Sequence, residues 1–185
     1  MTSPDHDALD RLLLARSVKR GHFILASGRS SPFYVDARLT TMSAEGLTLI
    51  GRIGLATIRA QNWPAAAIGG LTMGADPVAY AISQTSAGHP PVLDAFSVRK
   101  EAKAHGTGRR VEGNLAPGSA VVVVEDVITT GGSALKAIEA LLEEGARVLG
   151  VLAVVDREEG GRAAIEAAGY AVVALTTSTR LGLRS

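Results

Sequence analysis

The sequence predicts an α/β fold in which a parallel sheet carries helices on both faces, with a small N-terminal hood. Short β-branched runs alternate with helical patterns of about 10–15 residues, which is typical of strand–helix–strand units. The runs Val121 to Val124 and Val148 to Val155 show no polar alternation, as expected of strands buried on both faces. Roughly the first 40 residues do not follow the alternation and are expected to form the hood.

The elements expected in the first half begin with a helix from about Asp5 to Arg20 that stops at Gly21. They continue with strands at 23–25 and 33–35, a helix capped by Ser43 that runs to about Gln61, a strand at 65–68 followed by a Gly69-Gly70 turn, a helix from Asp76-Pro77 to about Ala87, and a strand at 92–98.

The second half opens with a long polar excursion at 99–118. After it we expect strands at 121–124, 148–155 and 170–175, and helices at 133–145 and 162–168, with Leu135, Ile138, Leu141 and Leu142 of the first helix facing inward. The whole chain is expected to be one domain, with the hood at about 1–40, an α/β core at about 41–176 and a mobile basic loop at 99–113.

The composition narrows the function classes. The chain has 185 residues, 46% of them hydrophobic, and a net charge of +1 from 19 basic and 18 acidic residues. This balance argues against a general nucleic-acid or membrane-surface binder. The absence of cysteine excludes disulfides, thiolate nucleophiles and cysteine-based zinc sites. With neither a leader pattern nor an apolar run of membrane-spanning length, a soluble cytoplasmic protein is expected.

Two acids, Glu125 and Asp126, follow the valine-rich strand, and a hydroxyl-rich glycine loop, residues 129–133, follows them. Ligands bind at the carboxyl ends of strands in an open parallel sheet, and free amides at a helix N-terminus favour an anion. No lysine follows the glycines and no G-x-G-x-x-G is present, so the nucleoside triphosphate and dinucleotide loops are both excluded. The alternative is an acidic turn in which Ser133 is an ordinary helix cap.

The segment RKEAKAHG, Arg99 to Gly106, concentrates four basic side chains where no apolar periodicity exists: Arg99, Lys100, Lys103 and His105. A solvated basic loop is the common fate of such a run. A nucleic-acid patch is a weaker alternative, because no aromatic residue lies in the segment to stack on bases. The functional interpretation is a mobile lid whose cations close over a diphosphate.

These motifs resemble those of a known family. EDVITTGGS, Glu125 to Ser133, resembles the phosphoribosyl-diphosphate motif of the type I phosphoribosyltransferases, and RKE-x-K-x-H-G resembles the flexible catalytic loop of the orotate phosphoribosyltransferases. FILASGRSSPFYVDAR, Phe23 to Arg38, resembles their N-terminal orotate-side segment. The matches run in the family's order from about residue 10 to 175, nearly the whole chain.

The chain departs from the family pattern at two positions. Many members carry a lysine where this chain has Ala26, and many carry a Tyr-Lys-Gly loop where GGLTMGADP has Met73-Gly74. These replacements remove two expected cations. For Phe33 and Tyr34, packing in the core of the hood is as good an interpretation as a role in binding the base. For residues 69–77, the alternative to a role in the site is a simple turn between a strand and a helix.

The resemblance implies a type I phosphoribosyltransferase fold and a Mg²⁺-dependent reaction of orotate with 5-phosphoribosyl 1-diphosphate, giving orotidine 5′-monophosphate and diphosphate in pyrimidine synthesis. It assigns Arg99, Lys100, Lys103 and His105 to the diphosphate, with Lys103 in a direct catalytic role. Glu125 and Asp126 are expected to be catalytic, to bind the ribose hydroxyls and to hold the metal, directly or through water.

The remaining implied contacts belong to the 5′-phosphate and the base. The phosphate cradle comprises Val127, Ile128, Thr129, Thr130, Gly131, Gly132 and Ser133. Thr129 is also expected to reach orotate, and Arg157 to bind the orotate carboxylate, since a guanidinium grips a carboxylate through two parallel hydrogen bonds. Without the resemblance, an exposed arginine in an acidic turn is the plainer interpretation of Arg157.

The resemblance further implies a homodimer in which the basic loop of one subunit completes the site of its neighbour. One alternative is a phosphoribosyltransferase for adenine, hypoxanthine or uracil, which would not turn over orotate. Another is a regulator that kept the fold as a sensor and lost catalysis. Such a regulator would usually add a DNA- or RNA-binding element and could lose the lid cations, whereas this chain has no spare segment and keeps those cations.

Overall fold

The computed structural model describes residues 3–24, 30–101 and 110–183 of the chain. In these residues the elements follow in the order α1 (Pro4–Arg16), β1 (Val18–Ile24), β2 (Ser30–Val35), α2 (Arg38–Thr41), α3 (Ala44–Ala60), β3 (Ala67–Leu71), α4 (Ala75–Ala87), β4 (Asp94–Val98), β5 (Val111–Gly113), β6 (Ala120–Ile128), α5 (Gly132–Glu143), β7 (Arg147–Asp156), α6 (Gly161–Ala167) and β8 (Val172–Thr177).

The central sheet has six strands in the order β5-β4-β3-β6-β7-β8. All neighbours are parallel except the short edge strand β5, which runs antiparallel to β4. The chain winds outward from β3 to β4, then crosses back to β6 and winds the other way through β7 to β8. The direction therefore reverses between β3 and β6, where open α/β sheets bind their ligands. The predicted α/β fold is confirmed.

Helices cover both faces of this sheet. Val122 and Val124 of β6 pack on the side of α1, α3 and α4, whereas Val121 and Val123 pack on the side of α5 and α6. All four valines are fully buried. This explains the missing alternation in the sequence, since each face of β6 lies against an apolar layer.

The N-terminal segment forms one helix and one hairpin. Leu9 and Leu13 of α1 are fully buried in the same core cluster as α3 and the C-terminal Leu181 and Leu183. Strands β1 and β2 pair antiparallel in a sheet of their own. The helix is therefore part of the main core, and the hairpin joins the same cluster through Phe33 and Val35 of β2.

Two predicted boundaries are wrong near the N-terminus and in β3. The first helix ends at Arg16 rather than at Gly21, because the residues from Val18 onward pair with β2. Strand β3 continues through the expected Gly69-Gly70 turn to Leu71. A Cβ on Gly70 would lie 2.2 Å from the Val124 carbonyl oxygen, so glycine here serves a close strand contact and not a turn.

Three further differences concern the second half. Strand β6 runs to Ile128, so the two acids lie inside the strand and not after it. Leu142 is 51% exposed, because it follows buried Leu141 and one helical step turns it away from the sheet. The excursion after β4 includes a strand, β5, at Val111–Gly113. The strands expected at 23–25 and 33–35 begin earlier, at Val18 and Ser30, and residue 25 lies outside the described residues. The other expected helices and strands are present, with ends shifted by up to about two residues.

No helix in the described parts of the chain is long and apolar enough to cross a membrane.

Adjacent leucines of α1 test whether this helix contributes to the main core. Leu13 is fully buried and Leu14 is 39% exposed. We expect Leu13→Ala to lower the free energy of unfolding by about 2–5 kcal/mol, because it removes buried methyl groups and leaves a cavity. Leu14→Ala, the matched control, should change it by about 0.5 kcal/mol or less. Urea unfolding of both variants measures the difference, and equal small effects would contradict the shared core.

Candidate active site

A cavity of about 410 Å³, called the large cavity below, lies at the switch between β3 and β6. It opens beside the carboxyl ends of β3, β6 and β7 and is closed on one side by the end of β2. Its lining is Tyr34, Val35, Asp36, Ala37, Arg38, Leu71, Thr72, Met73, Gly74, Lys100, Glu125, Asp126, Val127, Thr129, Ser133 and Arg157. The topology therefore gathers residues from the hood, the core and the start of the basic segment around one space.

The acid pair lies where β6 has lost one of its two neighbours. Pairing between β3 and β6 ends at Gly69 and Val123, whereas β7 stays paired with β6 to Ile128. Glu125 and Asp126 thus sit on the side of β6 that β3 leaves open. The alternative of an acidic surface turn is wrong, because Glu125 is only 6% exposed and belongs to a strand.

Burial raises the pKa of both acids. Burial, and to a lesser extent the charge of Asp126, raises the pKa of Glu125 to about 8. Burial also raises the pKa of Asp126, although the Val127 N–H donates to Asp126 Oδ1 at 2.8 Å and opposes the shift. Glu125 Oε1 is buried without a hydrogen-bond partner in the described residues. Both acids are therefore suited to accept hydrogen bonds from hydroxyls that enter the cavity.

The predicted phosphate cradle is a second, small cavity of about 30 Å³ that adjoins the large one. It is lined by Glu125, Val127, Ile128, Thr129, Thr130, Gly131, Gly132, Ser133 and Ala134. Gly131 has φ 80° and directly precedes α5, so the first amides of that helix have no partners within the helix. Amides and helix dipole together suit a phosphate group at this position.

The cradle rests on the start of α6. A Cβ on Gly161 would lie 2.5 Å from the Thr129 carbonyl oxygen and 2.7 Å from the Gly131 nitrogen. Ile128 turns its side chain into the core, and its carbonyl oxygen accepts a hydrogen bond from the Arg157 N–H at 3.0 Å. Ile128 therefore fixes the cradle through its backbone. Thr129 and Ser133 line both cavities, and Thr130 is exposed.

Arg157 is the buried cation of the site. It is 6% exposed, so the interpretation as an exposed arginine is wrong. Its guanidinium stacks 4.9 Å from the centre of the Phe33 ring, and its Nη2 lies 2.6 Å from Glu159 Oε1. That close approach lacks hydrogen-bond geometry, and both Nε and Nη2 are buried without an acceptor among the described residues. A planar anion in the large cavity could supply the missing acceptors.

The basic segment is described only at its two ends. Lys100 lines the large cavity, whereas Arg99 does not: its Nε donates to Glu112 Oε1 at 3.0 Å and its backbone N–H to the Arg110 carbonyl at 2.8 Å. These contacts tie the start of the segment to β5 and its approach. The predicted residues Lys103 and His105, like Ala26, lie outside the described residues.

The sequence reasoning did not assign a role to Asp36 and Arg38, which both line the large cavity. Arg38 Nε donates to Asp36 Oδ1 at 2.8 Å and Arg38 Nη2 to Asp36 Oδ2 at 3.0 Å. The Arg38 hydrogen bonds lower the pKa of the Asp36 carboxyl, although partial burial opposes them. The available signal was the Asp-x-Arg pattern directly after β2.

The β3–α4 loop also belongs to the site, through Leu71, Thr72, Met73 and Gly74. A Cβ on Gly74 would lie 2.6 Å from Asp126 Oδ1, so the loop backbone lies directly against the acid. The interpretation of residues 69–77 as a simple turn is therefore incomplete. No group of three or more metal-ligand side chains is found in the parts of the chain that the structure describes.

Comparisons with known proteins agree with this geometry. Residues 49–168 match the model of the phosphoribosyl transferase domain. An orotate phosphoribosyltransferase from Aquifex aeolicus is 47% identical over 174 residues, covering 92% of this chain and 94% of the relative. One from Mycobacterium tuberculosis is 45% identical over 183 residues, covering 99% of each.

Solved structures show the same relationship. The crystal structure of Mycobacterium tuberculosis orotate phosphoribosyltransferase in complex with 5-phospho-α-D-ribosyl 1-diphosphate has a TM-score of 0.81 at 41% identity. The alignment covers 97% of this chain and 100% of that one. Such similarity, over nearly the full length of both chains, shows that this chain belongs to the orotate phosphoribosyltransferase family.

Proposed function

We propose that this protein transfers the 5-phosphoribosyl group from 5-phosphoribosyl 1-diphosphate to orotate, giving orotidine 5′-monophosphate and diphosphate, in pyrimidine synthesis. The observation that carries the proposal is the buried Arg157, whose Nε has no acceptor among the described residues and which lines the same cavity as the acid pair. Orotate brings a planar carboxylate that fits such a guanidinium. The relatives named orotate phosphoribosyltransferase support the same acceptor.

The proposed reaction forms one bond and breaks one. A ring nitrogen of anionic orotate attacks C1 of the ribose, and the bond between C1 and the diphosphate oxygen breaks with its electron pair going to the diphosphate. The acceptor is already an anion, so no nucleophile from the protein is required. The work of the protein is to hold the two substrates in line and to stabilise the charges that develop.

Two groups would hold the phosphorylated sugar, the loop from β6 into α5 and the acid pair of β6. The amides and hydroxyls of residues 129–133 bind the 5′-phosphate, and Thr129, which lines both cavities, also reaches orotate. Glu125 and Asp126 accept hydrogen bonds from the ribose hydroxyls. In their ionised form these carboxylates also favour the cationic, oxocarbenium-like ribose that forms as the bond to diphosphate breaks.

Members of this family use a divalent metal with the diphosphate substrate, and we propose Mg²⁺ for this chain. Mg²⁺ is usually held by one or two carboxylates together with substrate phosphates. Asp126 and the unpartnered Oε1 of buried Glu125 fit this donor set, directly or through water. When bound, the ion neutralises charge on the diphosphate.

The basic segment would act on the leaving group. Lys100, Lys103 and His105 meet the diphosphate, with Lys103 in the direct catalytic role, and Arg99 would join them on release from Glu112 Oε1, to which its Nε donates at 3.0 Å. We propose a homodimer in which this segment completes the site of the partner subunit. Lys100, at the rim of the large cavity, supports the assignment to the diphosphate, while the contribution in trans and the cytoplasmic location stay predictions.

The acceptor is tested by an absorbance assay that follows orotate in the presence of 5-phosphoribosyl 1-diphosphate and Mg²⁺. We expect orotate to be consumed, and parallel reactions with adenine, hypoxanthine and uracil to show no turnover. Turnover of one of these bases without orotate would contradict the proposed acceptor. Binding of the diphosphate substrate with no turnover of any base would instead favour a regulator.

Lys103→Ala tests the role of the lid. Turnover should fall by at least about tenfold, while the dissociation constant for orotate stays unchanged, because the lysine acts on charge that develops as the diphosphate leaves. Mixing Lys103→Ala protein with Asp126→Ala protein should restore part of the activity if the loop works in trans. Each inactive protein alone is the control, and an unchanged rate for Lys103→Ala would remove it from the catalytic residues.

Arg157→Lys tests the base side. The lysine keeps the charge but loses the fork, so the dissociation constant for orotate should rise about tenfold or more. The dissociation constant for 5-phosphoribosyl 1-diphosphate should be unchanged. Arg147→Lys, at the exposed start of the same strand, is the matched control. Calorimetric titration with each substrate separates the outcomes, and equal losses for both substrates would contradict a contact specific to orotate.

A further inference from the structure

Asp36 holds the guanidinium of Arg38 in place but accepts only two of its N–H hydrogen bonds. Its Nε and one Nη2 hydrogen donate to the Asp36 carboxylate, and no other hydrogen bond of this guanidinium is found among the described residues. A guanidinium has five N–H groups, so three of them, including both on Nη1, remain available. The Asp36 carboxylate fixes the plane of the fork and thereby lowers the entropy cost of binding an anion.

The position of Arg38 in the cavity limits which anion it can meet. Arg38 lines the large cavity together with Lys100, Met73 and Gly74, and none of these four residues lines the small cavity at 129–133. The small cavity is the proposed 5′-phosphate site, so Arg38 is separate from it. The charge of Asp126 adds to the effect of Asp36 in raising the pKa of Arg38, which shows that the guanidinium lies within electrostatic reach of Asp126.

Arg157 already provides a cation for the orotate carboxylate. Arg157 is buried against Phe33, and its Nε has no acceptor in the part of the chain that the structure describes, which suits the single carboxylate of orotate. Arg38 is half exposed, with 48% of its side chain accessible, and stands at the mouth of the cavity. Among the anionic groups of the proposed substrates, the diphosphate on C1 of the ribose is the one that has no assigned contact from the hood side of this cavity.

The β3–α4 loop cannot supply a cation at its point of contact with Asp126. A Cβ on Gly74 would lie 2.6 Å from Asp126 Oδ1, so a side chain there would displace the acid. Met73 is 62% exposed and uncharged. In the described lining of the large cavity the cations are Arg38, Lys100 and Arg157. With Arg157 assigned to orotate, Arg38 is the cation of this described lining that can add to the contacts of the basic segment with the diphosphate.

We propose that Arg38, oriented by Asp36, binds the diphosphate group of 5-phosphoribosyl 1-diphosphate from the hood side of the cavity. The inference deepens the proposed function and rests on it for the identity of the phosphorylated sugar. Arg38 contacts the diphosphate from the turn after β2, and the basic segment that follows β4 contacts it from a different element. Two charged contacts from separate segments fix the leaving group relative to the ribose on Asp126.

The test compares the affinities of three ligands for wild type, Arg38→Ala and Arg52→Ala by calorimetry with Mg²⁺ present. The ligands are 5-phosphoribosyl 1-diphosphate, ribose 5-phosphate and orotate. Arg52 is a matched control, because it also pairs with an aspartate, Asp5 at 2.9 Å, is 54% exposed and lies outside the cavity. Arg38→Ala should weaken binding of the diphosphate substrate by about tenfold or more.

Ribose 5-phosphate and orotate should bind Arg38→Ala and wild type equally, and Arg52→Ala should match wild type for all three ligands. Unchanged ribose 5-phosphate binding also shows that the variant is folded. A loss that is equal for ribose 5-phosphate and the diphosphate substrate, or a loss confined to orotate, would overturn the proposal. So would unchanged affinity for the diphosphate substrate.

Arg38→Lys adds a second variant with the charge kept and the fork removed. It should bind the diphosphate substrate with an affinity between those of wild type and Arg38→Ala, and an affinity below that of Arg38→Ala would contradict the charged contact. These titrations do not require turnover. A wild-type protein that binds the diphosphate substrate but does not consume orotate would therefore contradict the acceptor, and leave the Arg38 result to be judged separately.

Discussion

The separation of β3 from β6 is the constraint on which the site depends. The two strands pair only as far as Gly69 and Val123, whereas β6 and β7 remain paired to Ile128 and Asp156. The open side of β6 beyond Val123 is where the acid pair and the large cavity lie. A sheet in which β3 continued beside β6 would cover Glu125 with backbone and leave no room for a ligand. The two-way winding of the sheet thus creates the cavity before any catalytic side chain is considered.

Burial of the acid pair determines which ligand groups this cavity favours. Glu125 is buried, and its raised pKa of about 8 reflects the cost of a charge there without a compensating partner. Hydroxyl donors or a divalent cation would lower that cost, and an anion would raise it. The phosphate loop a few residues later offers amides instead. One strand and one turn therefore provide adjoining surfaces for a sugar and for a phosphate, with carboxylates on the sugar side and amides on the phosphate side.

The sequence predicts the acid pair and the phosphate loop well because the signals for them are local. The valine run, the acids and the glycine loop occupy consecutive positions, and each carries its own physical signature. The misplaced end of β3 has the opposite cause, since Gly69-Gly70 has the composition of a turn but meets Phe96 and Val124 in the folded sheet. Arg38 was not assigned for a related reason. An arginine two residues from an aspartate is common on surfaces, and only tertiary folding places it beside Gly74 and Asp126.

The base side and the phosphate side form one mechanical unit. The Arg157 backbone N–H donates to the Ile128 carbonyl, and Gly161, four residues further along, lies against Thr129 and Gly131 of the cradle. The same short segment after β7 therefore positions the guanidinium and supports the phosphate loop. A displacement of this segment would move both contacts together, so the separation between carboxylate and phosphate sites is set by the backbone. For a reaction that depends mainly on alignment, the rigid β6–β7 pair is the part of the protein that maintains it.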